Sequence, residues 1–137
     1  MGQSEISALA QLAYLIDNCT ETNNTIHAKN EHKLASAQAH SNLAKCLKKV
    51  GDVVTSESEF NLALKIYNSI EIDYKLNSQQ RITLWNNKIE IVSELQDLAI
   101  SRGNKELAKN LTRRVEKLRL EITQATTESQ LKTPNVN

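Results

Sequence analysis

The stretch LKKVGDVVTSESEFNLALKIYNSI, residues 47–70, decides the fold. Within it Phe60, Ala63, Leu64, Tyr67 and Ile70 recur at three- and four-residue steps, the period that gathers side chains on one face of an α-helix. Upstream, Leu34, Ala37, Leu43, Leu47 and Val50 keep the same period over residues 32–50, without proline. Gly51 either ends that upstream helix or sits within it. Downstream the apolar face reaches Tyr74, and Asn77 with Gln80 three residues later has the form of a capping box, so one helix ends near Leu76 and another begins there.

The next helix carries Ile82, Trp85, Ile89, Val92, Leu95 and Ala99, and Arg102-Gly103-Asn104 reads as its C-cap and turn. A last helix carries Leu107, Ala108, Leu111, Val115, Leu118 and Ile122. Beyond Thr126 the chain is polar and ends in Thr133-Pro134-Asn135-Val136-Asn137, which predicts a disordered tail over 127–137. At the other end Ile6, Leu9, Leu12, Ala13 and Ile16 predict an amphipathic helix over residues 4–19. Residues 18–30 are rich in Asn and Thr, with Ile26 as their one sizeable apolar residue. They are either a loop or an exposed part of a continuous helix.

Composition agrees with an all-α reading. There are three glycines (Gly2, Gly51, Gly103) and one proline (Pro134) in 137 residues, so long stretches are free to stay helical. Aromatic residues are only 4% and the β-branched residues do not alternate, which argues against a sheet. With 39% apolar and 24% charged residues, the chain suits a single soluble domain of four to five helices over 1–126, antiparallel where connections are short.

The formal charge of +1 hides an asymmetry. Residues 1–76 hold seven Lys/Arg and nine Asp/Glu, a balance of −2, and residues 77–137 hold ten and seven, a balance of +3. The excess concentrates in 102–119, with seven basic and two acidic residues. There Arg102, Lys105, Lys109, Arg113 and Lys117 project from one side, while Leu107, Leu111, Val115 and Leu118 project from another. A basic strip of this kind attracts anionic lipid, nucleic acid or an acidic peptide. Nucleic acid is disfavoured, because no stacking aromatics lie among the charges and the overall charge is near zero.

Catalytic chemistry has no motif to stand on: there is no Gly-rich phosphate loop, no His-Glu-x-x-His, no nucleophile elbow and no framed carboxylate pair. The expectation is a protein that is not an enzyme and carries no cofactor. His27, His32 and His40 lie within fourteen residues, and His27 with Glu31 forms an i, i+4 pair, yet a metal site needs more ligands at matched spacing, so none is expected. Cys19 and Cys46 show no Cys-x-x-Cys pattern and read as buried, reduced thiols. No basic segment precedes an apolar run at the N-terminus and no 18-residue apolar run occurs, which places the protein in the cytoplasm.

The pattern Leu47-x-x-Val50-Gly51-x-x-Val54, followed by Phe60, Ala63, Tyr67 and Ile70, resembles a tetratricopeptide repeat. In that family a small residue in the first helix and an Ala in the second let two antiparallel helices approach. Gly51 and Ala63 take the small positions here, and Leu47, Val50, Phe60 and Tyr67 the large ones. A second copy falls on Val92, Leu95, Ala99, Gly103, Ala108 and Val115, with Gln96 where the family has Gly. The two Ala positions are 45 residues apart rather than the family's 34, and the closing Pro is absent. The long Gly- and Pro-free run over residues 3–50 is also similar to the helices of crescent-shaped, membrane-binding dimers of the BAR and sorting-nexin type.

The first resemblance implies a non-catalytic adaptor that binds a peptide or helix of a partner protein, with self-association expected of so short a solenoid. Asn42, Lys45, Lys49, Asn86 and Asn87 are its implied groove residues. Trp85, a lone indole at helical spacing, reads independently as a core or interface anchor. The second resemblance implies a dimeric module that binds an anionic membrane surface through the basic residues of 102–119 or through Lys45, Lys48 and Lys49.

Overall fold

A computed structural model of the chain describes residues 2–18 and 26–132, with their side chains except those of 26–28 and 132. Over these residues the protein is all-α, with helices α1 Gly2–Asp17, α2 Ile26–Lys49, α3 Val53–Asp73, α4 Ser78–Ser101 and α5 Lys105–Lys132. The choice left open for residues 18–30 is resolved in part: α2 already begins at Ile26, and 19–25 lie outside the described residues. Helix α2 packs on α3, α1 packs on α2, and α4 packs on α5. These contacts form two compact units, Met1–Tyr74 and Lys75–Asn137, where the sequence reading takes 1–126 as one domain. The division falls where helical hydrogen bonding stops: Tyr74 leaves α3 in an extended conformation, and the Asn77–Gln80 capping box starts α4 afresh.

Both hairpins turn through the same local chemistry. At the end of α2 the Asp52 amide donates to Leu47 O (2.9 Å) and the Gly51 amide to Lys48 O (3.1 Å). At the end of α4 the Asn104 amide donates to Ala99 O (2.9 Å) and the Gly103 amide to Ile100 O (3.0 Å). Each pair is a Schellman motif, which needs a left-handed residue at its second-last position, and Gly51 (φ 86°) and Gly103 (φ 72°) supply it. The residue after each glycine then caps the next helix: Asp52 Oδ1 accepts from the Thr55 amide and Asn104 Oδ1 from the Leu107 amide, both at 3.2 Å.

Gly51 therefore lies in the turn, beyond the end of α2. Val50 and Val54 flank that turn with 51% and 67% of their surface exposed, so Val50 does not fill the core position expected of it. The chain reverses at Gly51 and carries both valines past the packing surface. Gly103 lies in the α4–α5 turn as read from the sequence. The two turn glycines are 52 residues apart, so with the hairpins aligned on their turns it is Val115, not Ala108, that falls opposite Ala63.

In the N-terminal unit α2 is the central helix, buried through Ser36, Ala37, Ala39, His40, Ser41, Leu43, Ala44, Cys46 and Leu47. Its small side chains let neighbouring backbones approach. Phe60, Ala63, Leu64, Tyr67 and Ile70 form the buried face of α3, as their spacing predicts. Fully burying Phe60 or Ile70 contributes about 1.5–3 kcal/mol each. One turn before Phe60, Ser56, also fully buried, donates to Ala44 O at 2.7 Å and so satisfies its hydroxyl across the α2–α3 interface.

Helices α4 and α5 meet along a seam with alternating four- and three-residue steps: Leu84, Lys88, Ile91, Leu95 and Leu98 are buried on α4, and Leu111, Val115, Leu118 and Ala125 on α5. Such spacing keeps one narrow stripe in register along two shallowly crossing helices. Gln96 Nε2 donates to Thr112 Oγ1 at 2.6 Å beside that stripe. Helix α5 runs through Thr126 to Lys132, so the tail expected over 127–137 is helical as far as 132, and 133–137 lie outside the described residues. Over this stretch Thr123, Thr126 and Thr127 turn their hydroxyls back onto the carbonyls of Arg119, Ile122 and Thr123, four residues earlier, at 2.8–3.0 Å, which satisfies each hydroxyl within the helix.

Candidate functional site

Two arrangements stand apart from the packing core. The first is the outer face of α5. Lys105, Lys109, Arg113 and Lys117 are all exposed and recur every fourth residue. At 100° per residue such a row drifts only about 40° per step, and it runs roughly opposite the Leu111–Val115–Leu118 seam. Four cations thus span about 18 Å of helix, from 12 residues at 1.5 Å rise. Lys105 opens the helix where the backbone dipole is positive, which opposes its charge, so the row gains nothing from helix electrostatics at that end. Arg102 is the C-cap of α4, also exposed, and so belongs to the turn rather than to the row itself.

The implied groove residues divide between the two units. Asn42 and Lys49 are exposed on α2, where Asn42 Oδ1 accepts from Gln38 Nε2 at 3.2 Å, and Lys45 is half-buried. On α4, Asn86 is exposed while Trp85 and Asn87 are half-buried.

The second arrangement was not singled out from the sequence. It lies in the N-terminal unit, where His40 of α2 is only 6% exposed and stands between two carboxylates. Its Nε2 lies 2.8 Å from Asp17 Oδ2, in the last turn of α1, and its Nδ1 lies 2.5 Å from Glu59 Oε2 on α3. Ser36 Oγ donates to the other oxygen of Asp17 at 2.5 Å. One imidazole therefore joins three helices. Burial works to lower the pKa of His40, but hydrogen bonds and charge from Glu59 and Asp17 outweigh it and hold the pKa above its ordinary 6.5. For Asp17, burial works upward, and the hydrogen bonds from Ser36 and His40 with the charges of His40 and His32 prevail, so its pKa lies below the usual 3.8.

Beside this cluster opens a cleft of about 340 Å³ lined by Asp17, His32, Lys33, Ser36, His40, Leu62, Ile66 and Ser69. Lys33 closes one side of it. Its ammonium donates to Asp73 (3.0 Å) and Ser69 (3.3 Å) and sits 5.4 Å from the centre of the Tyr74 ring. At the other end of α1, the Cys46 thiol donates to Glu5 Oε1 at 3.3 Å, and burial together with Glu5 pushes its pKa up, which makes it a poor nucleophile.

One sequence signal marks His40: it falls three residues after Ala37 and four before Ala44, on the apolar stripe of α2, where a histidine needs buried partners. His32 lines the same cleft, whereas His27 and Cys19 lie outside the described side chains. Among the described residues no group of three or more His, Cys, Asp or Glu side chains is arranged to hold a metal ion, and no helix is long and apolar enough to cross a membrane. No protein-family model, no curated protein and no solved structure matches the chain.

Proposed function

We propose that the protein is a non-catalytic interaction module that docks an acidic, helical segment of another protein along α5. The observation that carries this reading is the row Lys105, Lys109, Arg113 and Lys117, exposed on successive turns opposite the buried seam. A partner helix with carboxylates at every fourth residue repeats at the same interval of about 6 Å, which matches the spacing of the cations along α5. Electrostatic rows of this kind contribute chiefly to encounter rate and specificity, and their strength falls with salt.

The pair of hairpins, each closed by a Schellman turn, supports the comparison with short helical-repeat adaptors. In that comparison Asn42, Lys45, Lys49, Asn86 and Asn87 are further partner contacts, and Trp85, read independently as an interface anchor, is another. The protein is then a cytoplasmic adaptor that acts through partners, including further copies of itself, and without a cofactor.

The test is binding of a synthetic helical peptide with glutamates at every fourth residue, measured by fluorescence anisotropy across a salt series. The expected result is binding that weakens steeply with salt and falls at least about tenfold when Lys105, Lys109, Arg113 and Lys117 are all changed to Gln. Binding to phosphatidylserine vesicles with no binding to the peptide would overturn the reading in favour of a membrane module. Equal binding by the quadruple variant would remove α5 from the interface.

A further inference from the structure

Helix α1 is held differently from the other described helices. Among its described side chains only Ala13 is fully buried, and Leu12, Tyr14 and Leu15 are exposed. Ile6, Leu9 and Ile16 are half-buried, so its apolar face is covered only in part. Its position is set by contacts along its length: Gly2 lies so close to Val50 that a Cβ there would stand 2.6 Å from Val50 Cγ1, Glu5 accepts from Cys46, and Asp17 accepts from Ser36 and meets His40. These contacts run α1 antiparallel along α2. Between them lie Ala39 and Leu43, both buried.

The latch at the C-terminal end of α1 depends on a proton. A neutral imidazole has one N–H and one lone pair, and only the imidazolium donates from both nitrogens. With carboxylate oxygens 2.8 Å and 2.5 Å from the two nitrogens, both contacts are attractive only when the ring is charged. We propose that His40 is a protonation-controlled latch for α1: protonated, it clamps α1 through Asp17 onto α2 and α3, and deprotonated, it releases α1 and uncovers the Ala39–Leu43 stripe of α2.

Deprotonation breaks the Asp17 side rather than the Glu59 side. Glu59 makes the shorter contact, is less exposed than Asp17 (21% against 39%), and rides on α3 next to fully buried Phe60. The remaining N–H therefore stays on Nδ1 toward Glu59, and the Nε2 lone pair faces the Asp17 carboxylate, which repels it. The groups facing the ring are Asp17 from α1 and Glu59 from α3, and His32 and Lys33 of α2 line the same cleft. His32 is the other histidine lining the cleft and its charge acts on Asp17, so it is the necessary control.

The sign follows from the direction of the shift. Asp17 adds to the effect of Glu59 in raising the pKa of His40, so the value is higher with α1 docked; docking is favoured below the released-state value and is lost as pH rises through the docked-state value. The loss is about tenfold in the docking equilibrium for each unit separating the docked and released pKa values.

Amide hydrogen exchange of the full chain, corrected for the intrinsic pH dependence of exchange and resolved by NMR, tests this alongside titration of the His40 ring. From about pH 6 to about pH 9, protection of α1 amides relative to α3 should fall by about tenfold or more, with the same midpoint as the His40 ring. His40→Gln and, should that variant not fold, Asp17→Asn should each abolish the transition, and His32→Gln should leave it in place. A flat wild-type profile, a loss toward acid instead of alkali, or an unchanged transition in the folded variant would each overturn the latch.

Discussion

Changing Gly51 to alanine distinguishes a turn from a continuous helix by the sign of its effect. In the turn, φ is 86°, a region in which an L-residue costs about 1–2 kcal/mol. A Cβ built at Gly51 meets nothing within 4 Å, so no clash adds to that figure. Alanine also restricts the unfolded chain, which offsets about 0.4–1 kcal/mol. The net expectation is a loss of about 1 kcal/mol, or roughly a fivefold drop in the folding equilibrium constant. Gly51→Asn should lose less, because asparagine tolerates the left-handed region. Urea unfolding followed by far-ultraviolet circular dichroism measures the difference as a lower midpoint at unchanged slope. The same substitution inside a helix would stabilise by about 0.5–1 kcal/mol. A gain of that size would place Gly51 within one uninterrupted helix and dismantle the α2–α3 hairpin.

Phe60→Ala should cost about 3–5 kcal/mol, because the ring is fully buried and its removal leaves a cavity, and Phe60→Leu should cost much less; equal costs in denaturant titrations would contradict the burial. On the acid side, Asp17 has a lowered pKa, so its contribution is present above about pH 3.8 and is lost as pH falls through its lower folded value. Asp17→Asn should therefore flatten the acid limb of a thermal-midpoint profile over that range, and an identical limb in wild type and variant would remove Asp17 from the acid response.

The helix pattern was largely legible in the sequence because its punctuation is local. Asn77 and Gln80 cap each other within four residues, the Asn77 amide donating to Gln80 Oε1 and the Gln80 amide to Asn77 Oδ1, so no tertiary information is needed to see them. Gly103 and Asn104 are equally local. The start of α2 at Ile26 was obscured by its polar first turns, which lack the apolar period that marks a buried helix. The reach of α5 past Thr126 was hidden because threonine is a poor helix former and the residues beyond it carry no apolar period. The basic row was visible because four-residue spacing is a one-dimensional fact. The Asp17–His40–Glu59 cluster was not, since it joins residues 23 and 19 positions apart that converge only once three helices have packed.

The buried surface of α2 mixes the small or polar Ser36, Ala37, Ala39, His40, Ser41 and Ala44 with Leu43, Cys46 and Leu47. Unfolding such a helix exposes less hydrocarbon and more polar surface than unfolding a leucine-rich one, and the two contribute to heat capacity with opposite signs. Helix α2 should accordingly contribute less to the heat-capacity increment of unfolding than the α3 face of Phe60, Leu64, Tyr67 and Ile70 that packs in the same unit. The temperature dependence of the unit's stability is then set mainly by α3, and α2 adds little curvature to it.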